Sequence, residues 1–419
     1  MPRLGDESGT TGASFGARAL VLADVLAESS DSPEYLACTY MTLAHRAVAA
    51  RLREWMRIAG MTASIDAVGN VVGRYPSERP DAKTVIVGSH YDTVLNAGKY
   101  DGRLGILSAL LAIEELHRTG RKLPFNIELI AFSEEEGVRF SSPYLGSSAV
   151  AGKFDMSLLP RRDAGGYGLA DTLAAAGFDP HAIPALARKR EDLAGYLELH
   201  IEQGPILLGE GLPVGVVTSI AGAVRYSVVV TGTAGHAGTV PMQMRHDAAA
   251  AAAELTLLVE TRARQAPGLV GTVGRLTVPN GAINVIPGRC EMSFELRAGE
   301  DAMRDAALAD VLAGIKAIQQ RRGVTIDAKE VLRSPAVPCT PRIQKLFGDA
   351  VARAGITPRL LPSGAGHDAV MFDKLTDLGM LFVRCGNGGI SHSPLETITA
   401  ADADIGVRIL LDVLVNYQS

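Results

Sequence analysis

Residues 84–117 read TVIVGSHYDTVLNAGKYDGRLGILSALLAIEELH, and this stretch decides the fold. It opens on a short apolar run, Thr84–Val87, with the β-branched content of a buried strand. A loop follows that carries His90, Asp92 and Asp101. From Leu104 to His117 apolar residues recur at helical spacing, and Gly120 stops the helix. The same sign returns further along. Ile127–Phe132, Tyr196–Ile201 and Met380–Cys385 are apolar runs separated by helical stretches. That alternation predicts an α/β domain with a mainly parallel sheet covered on both faces. Ahead of it, residues 18–60 read as helical, with amphipathic spacing through Met41–Met56.

The pattern changes near Gly211. Arg225–Thr231 reads as a strand, Asp247–Arg264 as a helix, and Leu269–Val278 and Cys290–Arg297 as two strands. Met303–Arg321 then reads as a helix and Val324–Val331 as a strand. This β-α-β-β-α-β order is a self-contained, ferredoxin-like α+β sandwich. After Pro335 the first alternation resumes, so the second domain is expected as an insertion. The predicted division is a catalytic domain over 18–211 plus 332–419, an inserted domain over 212–331, and a flexible leader over 1–17. The length of 419 residues fits two cores better than one.

Composition removes several classes of function. The net charge is −5 and the basic residues do not cluster, so nucleic acid is not an expected partner. No apolar run approaches the roughly 18 residues a membrane span needs, so no membrane is expected. The opening MPRLGDESGTTGASFGARAL lacks the apolar centre of a secretory signal. The four cysteines are scattered with no CxxC pair, which points to a reducing cytoplasm rather than a disulfide framework.

Five segments carry hard, metal-compatible donors, and four of them lie at or just after an apolar strand run. His90 follows the first run and Asp101 lies on a Gly-flanked loop beyond it. Glu136 closes FSEEEG after Ile127–Phe132, His200 sits in ELHIEQGP, and His392 sits in the loop after Met380–Cys385. In open α/β sheets, sites form where the carboxyl ends of strands converge. Three imidazoles and two carboxylates suit two divalent ions with one carboxylate between them. Asp101 is the natural bridge, because the glycine after it allows close backbone approach. Asp92, two residues from His90, is placed to accept the second imidazole N–H and fix its tautomer. A lone histidine is more often an ordinary packed polar group, and His45, His117, His181 and His246 keep that reading. A run such as Glu134–Glu136 is usually a solvated face, but here it follows directly on a buried strand.

Taken together these segments resemble the metallo-amidohydrolase clan that includes aminoacylases and glutamate-releasing carboxypeptidases. Within it GSHYDTV (88–94), EEEGVRF (134–140), HIEQGP (200–205), GHAGTVPM (235–242), NVIPG (284–288) and GISHSPLE (389–396) resemble the hydantoinase/carbamoylase branch. The likeness runs from about Tyr35 to the end of the chain. NAGKYDGRLGI, AFSEEEGVRF, SIAG and MLFVRCGNGGISHSP look nearest to its allantoate amidohydrolases. The resemblance implies one metal on His90 and His200, the other on Glu136 and His392, with Asp101 between them and Glu135 as general base. It implies a non-proline cis bond after Asp101. It also implies a homodimer formed through the inserted domain, which would act as a lid and lend His236 to the neighbour's site. The branch typically has Asp two residues before the arginine at position 297. Here that position is Glu295, which bears on how the arginine is held.

The expected reaction is hydrolysis of a carbamoyl C–N bond in a small ureido carboxylate, with allantoate going to ureidoglycine, ammonia and carbon dioxide. Two divalent ions against two carboxylates leave the centre positive, which favours an anionic transition state. Glu135 is expected to move the water proton to the leaving nitrogen. His236 is expected as an oxyanion donor, and Asn284 offers an amide near the end of a strand pair. Arg297 offers a two-pronged donor for a substrate carboxylate, against the plain alternative of a structural ion pair. Gln203 is expected to meet the ureido group and His367 to close on substrate from a glycine-rich loop. Zn²⁺ and Mn²⁺ both suit such donors, as do Co²⁺ and Ni²⁺. N-Carbamoyl-L-amino acids and β-ureidopropionate share the ureido and carboxylate groups and stand as alternative substrates. A peptidase or deacylase of the same clan, and a non-catalytic binding protein, are further alternatives that HIEQGP and the full donor set oppose.

Overall fold

The computed structural model describes residues 13–418. Of the expected leader, residues 1–12 lie outside the described residues, and a helix already begins at Phe15. The chain separates into two compact units. The first runs to Thr218 and includes Cys339–Leu361 and His367 onward; the second is Ser219–Pro338 with Pro362–Gly366.

In the first unit, strands Asn126–Phe132, Thr84–His90, Leu193–Ile201 and Leu378–Val383 lie side by side in that order, all parallel. Every residue of Thr84–His90 and Asn126–Phe132 is buried, as strands covered on both faces must be. The edges differ from the sequence expectation. Val71–Tyr75 and then Thr62–Ile65 extend one side antiparallel, and Val214–Ile220 pairs antiparallel with Leu378–Val383 on the other. The sheet is therefore mixed, with its parallel part confined to the four strands that precede candidate ligands. Thr62–Ile65 and Val71–Tyr75 escaped notice because they are short and only partly buried.

The helical reading of 18–60 is also corrected. Two helices, Phe15–Ala27 and Leu43–Ile58, flank an irregular segment that opens on the turn-forming run ESSDSPE. Thr42 caps the second, its side chain accepting from the His45 amide. Helix Arg103–Arg118 buries Leu104, Ile106, Leu107, Leu110, Leu111 and Ile113 in the core against the sheet. Among the described residues no helix is long and apolar enough to cross a membrane.

The second unit has an antiparallel sheet ordered Thr325–Ser334, Gly222–Thr231, Arg289–Ala298, Leu269–Thr277. Numbered by sequence this is 4-1-3-2, the ferredoxin-like order. Burial alternates along Arg289–Ala298 as expected when one face packs on helices and the other does not. Helices Ala248–Arg264 and Asp301–Arg322 form the core with Val228, Val230, Met292, Phe294 and Leu296. Asp247 caps the first, accepting from the amides of Ala249 and Ala250.

Candidate metal centre

Parallel pairing brings the strand ends into line. His90 stands opposite Phe132, and Phe382 stands opposite His200. The chain leaving Phe132 reaches Glu135 and Glu136 within four residues. Asp101 returns to the same place through a tight turn in which the Arg103 amide donates to the Asp101 carbonyl at 2.7 Å. Gly102 makes that turn with φ of 65° and ψ of −51°, a γ-turn. A Cβ there would lie 2.5 Å from the His90 ring. No peptide bond among the described residues is cis. The cis bond expected after Asp101 is thus corrected, because the glycine turn supplies the reversal.

The two oxygens of Asp101 face different partners. Oδ1 lies 3.2 Å from His200 Nε2 and 3.7 Å from His90 Nε2. Oδ2 lies 3.1 Å from His392 Nε2, which in turn lies 3.3 Å from Glu136 Oε1. Donor atoms of His90, Asp101 and His200 form one close group, and those of Asp101, Glu136 and His392 form another. Oδ1 is buried yet has no hydrogen-bond partner despite two imidazoles beside it. In each group the donor atoms all lie within 4.8 Å of one another. Zinc bonds of about 2.0–2.1 Å in a tetrahedron put neighbouring donors roughly 3.3 Å apart, close to the spacings around both oxygens. The residues present therefore fit a divalent ion in each group.

Without an ion the cluster is a dense ion-pair network. Burial opposes ionisation of Asp101, yet His200, His392 and His90 hold its carboxyl well below the usual range. Asp101 and then Glu136 raise His392 to about 10. Asp92 ties two loops together. Its carboxylate accepts from the amides of Glu135 and Glu136 at 3.0 and 3.1 Å and lies 3.4 Å from His90 Nδ1. His90 Nδ1 also lies 3.2 Å from the Asp92 carbonyl, so backbone and side chain both orient the ring. Glu135 is buried with a donor atom close to those of His90 and Glu136. Burial pushes its carboxyl well above the ordinary carboxylate range.

Gln203 has the left-handed φ of 54° and donates through Nε2 to Asp101 Oδ2 at 2.8 Å, leaving its buried carbonyl oxygen without a partner. His367 is buried with its ring edge-on to His200 at 4.5 Å. His45 has the ordinary role expected, its Nε2 2.6 Å from the Ser133 carbonyl. In the second unit, His236 and Asn284 are neighbours: His236 pairs with Val285 in a two-residue ladder, and the Ala237 amide donates to the Asn284 carbonyl at 2.9 Å. Arg297 is gripped by Glu295, Nε to Oε1 at 2.5 Å, and donates through Nη1 to the Gly364 carbonyl at 2.8 Å. Glu295 also pairs with Arg225.

Sequence reading missed Glu198 and Glu396. Glu198 is buried two residues before His200 on the same strand face, accepting from Tyr196 Oη and the Ala369 amide. A carboxylate inside an otherwise apolar strand was the signal for it. Glu396 closes GISHSPLE, but nothing local to that segment shows what it touches.

Imidazoles and carboxylates gathered at the carboxyl ends of a parallel sheet, with Asp101 common to two of the four ion-sized groups they form among the described residues, define the class: a metal-dependent hydrolase. Comparison with known proteins narrows this. The pattern of peptidase family M20/M25/M40 matches residues 86–416. An N-carbamoyl-L-amino acid amidohydrolase of Geobacillus stearothermophilus is 40% identical over 85% of this chain and 87% of its own length. An allantoate deiminase of Arabidopsis thaliana is 39% identical over 91% of this chain and 78% of its own. Among solved structures, a hydantoinase/carbamoylase family amidase from Burkholderia multivorans superposes with a TM-score of 0.90 at 31% identity, covering 96% of this chain and 97% of that one. The chain belongs to peptidase family M20/M25/M40, and within it to the amidohydrolases that cleave C–N bonds.

Proposed function

We propose that this enzyme hydrolyses the carbamoyl C–N bond of allantoate with two divalent ions, one on His90 and His200, one on Glu136 and His392, and Asp101 between them. The observation that carries the reading is that each Asp101 oxygen faces a separate imidazole set at ligand-to-ligand spacing. Ions bound there supply Lewis acidity toward a carbonyl and acidify water. Glu135, buried beside both groups, is the proton carrier: it accepts from water and delivers to the leaving nitrogen. Gln203 is anchored by its amide nitrogen, which leaves its carbonyl oxygen to accept a ureido N–H. Arg297 uses two of its donors on Glu295 and Gly364 and keeps the remaining N–H groups for a substrate carboxylate.

His236 donates to the developing oxyanion of a partner subunit in this proposal. Its Nδ1 accepts from the Gly238 amide at 3.0 Å, which leaves Nε2–H outward on an exposed turn. The homodimer reading is supported by strand Leu269–Thr277. It ends the second unit's sheet, pairs on one side with Arg289–Ala298, and exposes Val270 and Leu276.

A second substrate class has an observation in its favour: the 40% identical relative is an N-carbamoyl-L-amino acid amidohydrolase. A turnover panel of allantoate, N-carbamoyl-L-amino acids and β-ureidopropionate, each with Zn²⁺ and with Mn²⁺, tests the proposal. The highest kcat/KM is expected for allantoate. A higher value for an N-carbamoyl-L-amino acid transfers the assignment to that class.

A further inference from the structure

His392 is the least supported of the candidate ligands. Its side chain is 49% exposed, and its backbone has a φ of 54°, in the left-handed region. Its loop and the loop of Asp101 meet from opposite ends of the catalytic unit. What joins them is the buried Glu396. Oε1 accepts from the backbone amides of Tyr100 at 2.8 Å and Asp101 at 3.2 Å. Oε2 accepts from Ser391 Oγ at 2.9 Å, and that hydroxyl also lies 3.1 Å from Asp101 Oδ2. Gly98 makes room: a Cβ there would sit 2.3 Å from the Glu396 carboxyl carbon.

We infer that Glu396 is a positioning residue that builds the His392 half of the metal centre. It touches neither substrate nor ion. Its carboxylate fixes the amide of Asp101 on one side and the neighbour of His392 on the other. The separation between Asp101 Oδ2 and His392 Nε2 is thereby set before any ion arrives. The His90 half depends on it less. His90 and His200 stand on two buried parallel strands, and Asp92 orients His90 independently. Loss of Glu396 therefore weakens one ion selectively. This inference rests on the two-ion reading above.

The test titrates the metal-free chain with Zn²⁺ and with Co²⁺, by calorimetry and by cobalt absorption. Folding is checked by circular dichroism. Wild type takes up two ions. Glu396→Ala is expected to keep the tighter ion near wild-type affinity and to weaken the other about 10- to 100-fold, the usual cost of losing a ligand's support. Glu396→Gln keeps an oxygen for both amides and an N–H for Ser391, so it should restore most of the affinity, to within about fivefold of wild type. Ser391→Ala, a small change where the alanine variant at 396 fails to fold, should weaken the same ion about 3- to 10-fold. Unchanged affinity of both ions in Glu396→Ala and Ser391→Ala overturns the inference. Equal loss of both ions overturns it, as does a glutamine variant no better than alanine. A wild-type chain that takes up a single ion overturns the two-ion reading, and the inference with it.

Discussion

Replacing Glu135 by Gln separates proton transfer from metal binding. The substitution keeps volume and shape and removes one proton acceptor. The Glu135 amide still donates to Asp92 Oδ1 at 3.0 Å, so the loop that carries Glu136 stays in place. None of the three close contacts of Asp101 Oδ2, to Gln203, His392 and Ser391, involves the Glu135 side chain, so both ions should remain. Loss of a positioned proton carrier costs on the order of 100- to 10,000-fold in rate, or about 2.7–5.4 kcal/mol. Burial argues for the upper part of that range, because Glu135 is only 8% exposed and bulk water is poorly placed to substitute. Stability should move the other way. Burial holds the folded carboxyl's pKa above its unfolded value, so its contribution to the metal-free chain is full below the unfolded pKa and is lost as pH rises through the folded one. At neutral pH a neutral amide avoids that loss, and the metal-free variant should melt no lower than wild type. Ammonia release from allantoate, metal content of the purified protein and thermal melts measure the three quantities. Turnover within about tenfold of wild type with both ions retained would refute the assignment. Loss of an ion would make Glu135 a ligand instead.

Gly102→Ala should abolish binding of the ion on His90 and lower the melting temperature, because the new Cβ meets the imidazole at 2.5 Å and a φ of 65° costs about 1–2 kcal/mol for a side chain; wild-type metal affinity in that variant would contradict the turn's role. Ion uptake at neutral pH should release protons and strengthen as pH rises, because Asp101 and Glu136 raise His392 to about 10 and Asp101 also raises His200 in the metal-free chain; calorimetry in two buffers of different ionisation enthalpy that detects no proton release would count against it. Mixing inactive Glu135→Ala and His236→Ala subunits should return activity to about a quarter of wild type if His236 acts across a dimer, since half the random pairs carry one intact site; no recovery after demonstrated subunit exchange rules the arrangement out.

The ligand strands were legible because strand and ligand are neighbours in the chain. An apolar run followed by His90, or by Glu135 and Glu136, is a local pattern with a local reading. The ferredoxin-like order of the second unit was legible for the same reason, whereas Asp247, read as the first residue of its helix, proves to be the cap before it. The edge strands Thr62–Ile65 and Val71–Tyr75 were not, since partial burial leaves no continuous apolar run. The cis bond was an expectation from likeness alone, and the glycine turn at position 102 replaced it. Glu295 appeared in sequence only as a longer acid near Arg297. The fold shows it gripping that guanidinium while Arg225 pairs with it.

By itself the sequence determined the set of candidate donors and the strand that leads to four of the five, because hydropathy and turn chemistry act over a few residues. Only the tertiary structure decided which Asp101 oxygen faces which imidazole, that Gln203 turns its amide nitrogen to Asp101, and that Glu396 clamps the loop beneath it. Those contacts join residues up to 296 positions apart. No local period reports such a distance; it is settled when parallel strands align their carboxyl ends and the loops beyond them must satisfy each other's buried charges.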